Sequence, residues 1–156
     1  MQGKSISLEM YTKERCHEFW SEYIADYDMF EADYIYDREN VDKYYEKKAT
    51  DKRRRLFAIC NNGKTVGEIQ LKNIDLENKC GTLSIHFSKD IYKNNGWGTE
   101  AEQIIIKYAF EELGINTIYA DVLHRNTRSQ HVLKKNGFIH MYDDELFQYY
   151  KVTNIK

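Results

Sequence analysis

A glycine-rich loop between a predicted strand and a predicted helix is the stretch of this chain best suited to chemistry. An apolar strand ends near Phe87, a polar loop follows, and Gly96-Trp97-Gly98 stands directly before a helix predicted to begin at about Thr99. Glycines let the backbone turn sharply and leave no Cβ atom in the way of a ligand. The first turn of a helix has free N–H groups and the positive end of the helix dipole. The loop therefore predicts a binding site for a phosphate or pyrophosphate group.

Two other interpretations of the same loop fit less well. Residues Gly96 to Ala101 also satisfy the Gly-x-Gly-x-x-Ala pattern of dinucleotide-binding folds, and Asp121 lies near the end of the next predicted strand. That pattern belongs directly after a strand in a βαβ unit. Here residues 88 to 95 intervene, and one further strand–helix unit follows. A plain surface turn is the remaining alternative, and the position before a long helix argues against it.

The composition is that of a folded domain outside the membrane. The chain has 156 residues, 42% of them hydrophobic and 31% charged, which predicts one globular domain. A net charge of −2 argues against a protein that wraps nucleic acid or anionic lipid. Neither a signal peptide nor an apolar run of roughly 20 residues is visible, so we expect a cytoplasmic protein. Cys16, Cys60 and Cys80 are scattered, which fits reduced thiols and predicts no metal site.

The spacing of apolar residues predicts an α/β domain with a mixed sheet. The predicted order is a strand (5–11), two helices (13–27 and 40–50), three strands (55–60, 65–72 and 81–87), a helix (99–113), a strand (115–123), a helix (126–136) and two strands (138–141 and 146–153). Asn40 is the expected cap of the second helix, and Asn62-Gly63 predicts a hairpin turn. The nearly continuous apolar run from Ile115 to Leu123 predicts a central strand covered on both faces.

Two motifs set in this order of elements resemble those of the GNAT N-acetyltransferases. The family's cofactor motif, Gln/Arg-x-x-Gly-x-Gly/Ala, is matched by Lys93 to Gly98, with lysine at the first position as a departure. Its second signature, Asn-x-x-Ser/Ala followed by Gly-Phe, is matched by Asn126-Thr-Arg-Ser129 and Gly137-Phe138. The resemblance covers residues 5 to 152. Within the family, the chain is most similar to the ribosomal-protein N-terminal acetyltransferases.

The resemblance implies a single N-acetyltransferase domain over residues 1 to 156, with acetyl-CoA as its cofactor. The implied fold is a mixed, mostly antiparallel seven-strand sheet flanked by about four helices, with strands four and five splayed around acetyl-CoA. Phe87 and Ser88 would meet pantetheine through their backbone, and Asn126 and Ser129 would flank the thioester. The residues implied to hold the pyrophosphate are Lys93, Asn94, Asn95, Gly96, Trp97, Gly98 and Thr99.

The residues implied to act in catalysis are fewer than the family usually has. Transfer to an amine needs a neutral amine, a donor for the oxyanion and a proton for the departing thiolate. Many members place a tyrosine acid seven residues after the signature asparagine, where this chain has Leu133. Ser129 is the substitute that the ribosomal-protein branch suggests. A helix-start serine that bonds locally is the alternative.

Three candidates are left for the base, because the usual carboxylate position on strand four holds Thr82. His86 lies on the same face of that strand and titrates in a useful range. Glu68 on the neighbouring strand is the second candidate, and a water chain with no single base is the third. No cysteine has a histidine beside it in a motif, so we expect direct attack by the acceptor without an acetyl-enzyme.

The first two helices and their connection form much of the acceptor wall in this fold. Between residues 26 and 46 this chain has eight acidic residues against two basic ones: Asp26, Asp28, Glu31, Asp33, Asp37, Glu39, Asp42 and Glu46 against Arg38 and Lys43. Aromatic residues crowd the same region: Tyr23, Tyr27, Phe30, Tyr34, Tyr36, Tyr44 and Tyr45. Carboxylates concentrate cations, and aromatic faces bind ammonium groups. A cationic amine is therefore the predicted acceptor: a peptide N-terminus, a polyamine or an aminosugar. A solvated acidic surface with packing tyrosines is the alternative.

Two other functions stay open from the sequence. The missing tyrosine acid and strand-four carboxylate fit a catalytically weak module that binds acyl-CoA or a protein partner. The basic run from Lys47 to Arg55 could touch RNA, although such runs are usually solvated helix ends, and nucleic acid is not an expected partner. We expect a monomer or a homodimer.

Overall fold

The computed structural model describes residues 1–25 and 34–155, and its elements follow the predicted order. The strands are β1 (Ser7–Met10), β2 (Arg55–Asn61), β3 (Lys64–Asp75), β4 (Cys80–Phe87), β5 (Thr117–Leu123), β6 (Ile139–Asp143) and β7 (Phe147–Thr153). The helices are α1 (Lys13–Glu22), α2 (Arg38–Ala49), α3 (Trp97–Glu111) and α4 (Thr127–Lys135), with a one-turn 3-10 helix at Asp90–Tyr92. None of the helices in this described part has the length and apolar character needed to span a bilayer.

The seven strands form one sheet in the order β1-β2-β3-β4-β5-β7-β6. All neighbouring strands are antiparallel except β4 and β5, which are parallel. The pairing of β4 with β5 covers three residue pairs, from Cys80–Thr117 to Thr82–Tyr119. Beyond Thr82 the two strands separate. The predicted mixed, mostly antiparallel sheet with splayed fourth and fifth strands is confirmed.

The two faces of the sheet carry separate apolar cores. Successive residues of a strand point to opposite faces, and β2 shows this directly. Ile59 belongs to the large core with Ile105 of α3. Its neighbour Ala58 belongs to a smaller core with Cys16 of α1 and Val41 of α2. Helices α1 and α2 therefore lie on the opposite face of the sheet from α3.

Local signals account for most element boundaries, with one exception at α2. The turn between β2 and β3 has left-handed backbone at Asn62 and Gly63, with φ of 51° and 82°, as the Asn-Gly pair predicts. The predicted cap at Asn40 is wrong, because α2 begins three residues earlier. Asp37 caps the helix, and its Oδ1 accepts a hydrogen bond from the Asn40 N–H at 3.1 Å.

The prediction that β5 is covered on both faces is also wrong. Ile118, Ala120 and Val122 are buried, whereas Tyr119 is 38% exposed and Asp121 is exposed. Among the described residues, α1 packs mainly over β3 on that face. A nearly continuous apolar run can therefore belong to a strand with one more exposed face when an aromatic residue supplies part of its apolar character.

Candidate active site

A cleft of about 990 Å³ opens where β4 and β5 separate. Its walls are the diverging ends of the two strands and the first turns of α3 and α4. This volume lies at the upper end of the roughly 300–1,000 Å³ typical of ligand pockets. Eight of the residues implied to bind the cofactor line it: Phe87, Lys93, Asn94, Gly96, Gly98, Thr99, Asn126 and Ser129.

Gly96 forms the mouth of this cleft at the N-terminus of α3. The helix begins at Trp97, two residues earlier than predicted, so Gly96 is its cap and Gly98 lies in its first turn. Gly96 has φ of +87°, a left-handed conformation that favours glycine, and a Cβ atom there would meet no protein atom within 4 Å. The space in front of the helix is therefore open to a ligand, as an anion site at a helix N-terminus requires.

Three other implied cofactor residues lie outside the cleft and shape the loop. The Asn95 side chain accepts a hydrogen bond from the Trp97 N–H at 3.1 Å, and the Trp97 ring stacks on Tyr92. Ser88 is fully buried. Its N–H donates to the Val66 carbonyl at 3.0 Å, and its own carbonyl accepts from the Ile24 N–H at 2.8 Å. Both backbone polar groups of Ser88 therefore have partners within the protein, and its contact with pantetheine stays a prediction.

Four basic side chains lie along the cleft. Lys72, Lys93, Arg128 and Lys135 line the cleft. The Lys93 Nζ forms an ion pair with Asp90 at 2.9 Å, and Asp90 also lies 4.0 Å from an Arg128 nitrogen. Positive charge along a cleft raises the local concentration of anions such as phosphate groups. Within residues 1–25 and 34–155, no group of three or more His, Cys, Asp or Glu side chains is placed to hold a metal ion.

Asn126 and Ser129 meet at the start of α4, on the cleft wall. The Asn126 Oδ1 accepts a hydrogen bond from the Ser129 N–H at 3.1 Å, so Asn126 caps the helix as predicted. This cap uses the backbone N–H of Ser129, a residue that lines the cleft, and does not involve its hydroxyl group. Leu133, at the position where the family often has a tyrosine, is buried.

His86 lies on the cleft-lining end of β4. Its Nε2 is 3.5 Å from the Ser84 hydroxyl oxygen, and both residues line the cleft. Burial, aided by the positive charges of Lys72, Lys93 and Lys48, lowers the pKa of His86 to about 4. The imidazole is therefore uncharged at neutral pH.

The surroundings of Glu68 differ from those expected of a general base. It pairs across β3 and β4 with His86, so both side chains are on the same face of the sheet. Its carboxylate, however, is 1% exposed and accepts hydrogen bonds from Tyr11 at 2.6 Å and Tyr44 at 2.7 Å. Burial raises its pKa. Glu68 does not line the cleft, and its two tyrosine partners come from distant parts of the chain that no local pattern connects.

A protein-family comparison identifies the fold that these features form. The family model described as "Acetyltransferase (GNAT) domain" matches residues 5–139. The chain belongs to the GNAT acetyltransferase family. Members of this family are acetyl-CoA-dependent N-acetyltransferases, the class that the two motifs predicted. The glycine loop at the start of α3, the basic side chains along the cleft and the cleft volume fit acetyl-CoA in this GNAT domain.

Two characterised or named relatives are similar in sequence to parts of this chain. The Bacillus subtilis (strain 168) protein "Probable N-acetyltransferase YjcK" is 29% identical over 123 residues, 75% of this chain and 67% of that protein. The Escherichia coli (strain K12) spermidine N(1)-acetyltransferase is 27% identical over 94 residues, 60% of this chain. This match covers 50% of the length of the E. coli enzyme.

A solved structure confirms the fold of the GNAT domain. The Vibrio cholerae spermidine N-acetyltransferase in complex with CoA and spermine covers 96% of this chain and 95% of its own, with a TM-score of 0.80 and 14% sequence identity. At this identity the likeness shows the fold alone. The narrower assignment to the ribosomal-protein branch stays a prediction.

The structure adds three cleft residues that sequence reasoning missed. Glu102 of α3, Asp121 of β5 and Tyr23, just after α1, all line the cleft of the GNAT domain. Asp121 and Tyr23 carried weak signals, since one was considered only for a dinucleotide site and the other only as an aromatic of the acceptor wall. Glu102 carried none, because its neighbours on α3 follow an ordinary apolar helical pattern.

The acceptor wall is described in part. Asp26, Tyr27, Asp28, Phe30, Glu31 and Asp33 lie outside the described residues. In the described part, Asp37 caps α2, and Asp42 accepts a hydrogen bond from His17 at 2.6 Å. An aromatic cluster of Trp20, Tyr23, Tyr34 and Tyr44 has neighbouring ring centroids 4.9–5.4 Å apart, and its member Tyr23 reaches the cleft. The described part of this region therefore carries both aromatic rings and carboxylates.

Proposed function

We propose that this GNAT domain transfers an acetyl group from acetyl-CoA to a cationic primary amine by direct attack in a ternary complex. The observation that carries the proposal is the cleft between the separated ends of β4 and β5, with Gly96 at its mouth. Acetyl-CoA supplies the acetyl group as a thioester. The protein side chains supply orientation and protons.

Ser129 is assigned the role of the acid. Ser129 lines the cleft, and its N–H, rather than its hydroxyl group, bonds to Asn126 at the first turn of α4. A hydroxyl group in this place can donate a proton to a departing thiolate. With Leu133 at the usual tyrosine position, the hydroxyl groups that α4 brings to the cleft wall are those of Ser129 and Thr127.

His86 is assigned the role of orienting the amine or a water molecule. Because the pKa of His86 is about 4, its imidazole can accept a hydrogen bond but holds a proton poorly at neutral pH. The proton of the incoming ammonium group therefore passes to solvent through water. Glu68 has no part in this path, because both of its oxygens accept hydrogen bonds from tyrosines.

A cationic acceptor is supported by the aromatic cluster of Trp20, Tyr23, Tyr34 and Tyr44 beside the cleft. Aromatic faces stabilise an ammonium group by about 0.5–2 kcal/mol. Spermidine acetyltransferases among the similar proteins point the same way. A polyamine is the preferred acceptor, with a peptide N-terminus beside basic residues as the second candidate.

Steady-state acetylation of a panel of amines tests this function. We expect the highest kcat/KM for spermidine or spermine, lower values for peptides with basic N-termini, and the lowest for neutral amines and acidic peptides. Raising the salt concentration should reduce the preference, because ions screen exposed charges beyond about 10 Å at 0.1 M. A preference for neutral or acidic acceptors that salt leaves unchanged would contradict a cationic acceptor. CoA binding without turnover on any amine would favour the non-catalytic module.

Replacing Ser129 with alanine separates catalysis from cofactor binding. Because the cap on Asn126 uses the Ser129 backbone, the variant keeps the start of α4. We expect kcat to fall by about 100-fold, the lower end for loss of a general acid, with little change in CoA affinity. Equal turnover by the variant and the wild type would remove Ser129 from the acid role. Thr127→Ala, in the same turn and also on the cleft wall, is the matched control.

A further inference from the structure

Glu102 is a buried acid on the cleft wall that the proposed chemistry does not use. It lies on α3 one turn beyond Gly98 and lines the cleft with Thr99. Its side chain is 1% exposed. Its Oε1 has no hydrogen-bond donor in the described part of the chain, and the Asn136 side chain lies near the carboxyl group.

The position of this carboxyl group lowers the stability of the protein when no ligand is bound. Glu102 follows the fully buried Ala101, and three consecutive isoleucines begin two positions later on the same helix. A buried acceptor without a donor destabilises a folded protein, and native structures keep few of them without a reason. An apolar residue at position 102 would avoid this penalty. A donor that enters the cleft would also remove it.

A second acceptor lies next to the first. Asn136, which ends α4, donates from its Nδ2 to the Thr99 carbonyl of α3 at 3.3 Å. Its Oδ1 is buried and has no donor among the described residues. Asn136 is not among the residues that line the cleft, so of these two groups it is the Glu102 carboxyl that a ligand in the cleft can reach.

The charge of the Glu102 carboxyl group is compatible with a phosphate-bearing ligand. Burial raises the pKa of Glu102 to about 8, so the group is mostly protonated and uncharged at neutral pH. An uncharged carboxyl group does not repel nearby phosphates, and it can both accept and donate hydrogen bonds. A ligand edge that offers an N–H group beside an acceptor atom complements it.

We propose that Glu102 is a cofactor-binding residue, whose carboxyl group receives an N–H group of CoA. This inference rests on the proposed function, which places CoA in the cleft. CoA offers such groups in two places, the amino group of its adenine and the amides of its pantetheine arm. Glu102 consequently exchanges stability of the free protein for affinity toward the cofactor.

Substitutions at position 102 test this by calorimetry with CoA and by thermal unfolding without it. Glu102→Leu should weaken CoA binding by roughly tenfold, which is about 1.4 kcal/mol, while its Tm equals or exceeds that of the wild type. Glu102→Gln, which keeps an acceptor and donors, should bind CoA nearly as well as the wild type. Gln103→Leu, at the exposed next position of α3, is the matched control and should leave the affinity unchanged. Glu102→Met replaces the leucine variant if that variant does not fold.

Fragments of CoA identify the donor. Loss of affinity for adenosine 3′,5′-bisphosphate assigns it to adenine, and loss for pantetheine assigns it to the amides. The inference is overturned if Glu102→Leu binds CoA as tightly as the wild type, if neither fragment responds, or if Glu102→Gln or Gln103→Leu loses as much affinity as the leucine variant. A wild-type protein that does not bind CoA at all would overturn the proposed function as well, so the two failures are distinct.

Discussion

Replacing Gly96 with valine is expected to weaken CoA binding by at least about 100-fold, or roughly 2.7 kcal/mol. Two effects contribute to this loss. The left-handed φ of +87° at Gly96 is unfavourable for a β-branched residue, so the cap of α3 would shift. The valine side chain would also occupy the open space in front of the helix N-terminus, where an anion has to approach the N–H groups. Isothermal titration calorimetry with CoA measures the loss.

Gly63 provides the matched control for that experiment. It has φ of +82° and, like Gly96, no protein atom within 4 Å of a built Cβ. It lies in the turn between β2 and β3, outside the cleft. Gly63→Val should therefore carry a similar strain, about 1–2 kcal/mol, without affecting CoA binding. Urea unfolding of both variants compares the strain. Wild-type affinity in the Gly96 variant would show that the cofactor binds elsewhere.

Replacing Glu68 with alanine is expected to reduce the free energy of unfolding by about 2–6 kcal/mol. The carboxylate accepts hydrogen bonds from the hydroxyl groups of Tyr11 and Tyr44. Removing it leaves both hydroxyl groups buried without an acceptor, at roughly 1–3 kcal/mol each. Because Tyr44 belongs to α2 and Tyr11 follows β1, the change also releases two elements from β3. Urea denaturation of the wild type and the variant gives the difference.

Two further variants separate this structural role from catalysis. Tyr44→Phe removes one of the two hydrogen bonds and should destabilise less than Glu68→Ala. Glu68→Gln keeps the shape of the side chain and can still bond both tyrosines, so the folded variant should retain most of its kcat. A folded Glu68→Gln variant that is inactive on every amine would restore Glu68 as the base.

Much of the fold, and a candidate cofactor loop at residues 93–99, could be predicted because their signals are local. The glycine pair at 96 and 98, the Asn126 cap and the Asn62-Gly63 turn depend on backbone conformations that a few neighbouring residues determine. Alternating and helical spacing likewise revealed the order of the elements. Even here local signals can compete, since Asp37 and Asn40 lie within one turn and only the first caps α2.

The roles of individual polar side chains were decided by tertiary structure. Glu68 looked equivalent to His86 as a candidate base, yet Tyr11 and Tyr44 enclose the first, while the second faces the cleft. Glu102 looked like an ordinary helix residue until packing of α3 on α4 buried it.

The sequence by itself thus determined the family and the fold and predicted a place for the phosphate site, because each rests on short-range patterns. Only the tertiary structure decided which acids are buried, which are paired and which face the ligand. Burial and hydrogen bonding of a side chain depend on residues brought together from distant positions, as Tyr11, Tyr44 and Glu68 are, and no spacing along the chain encodes that encounter.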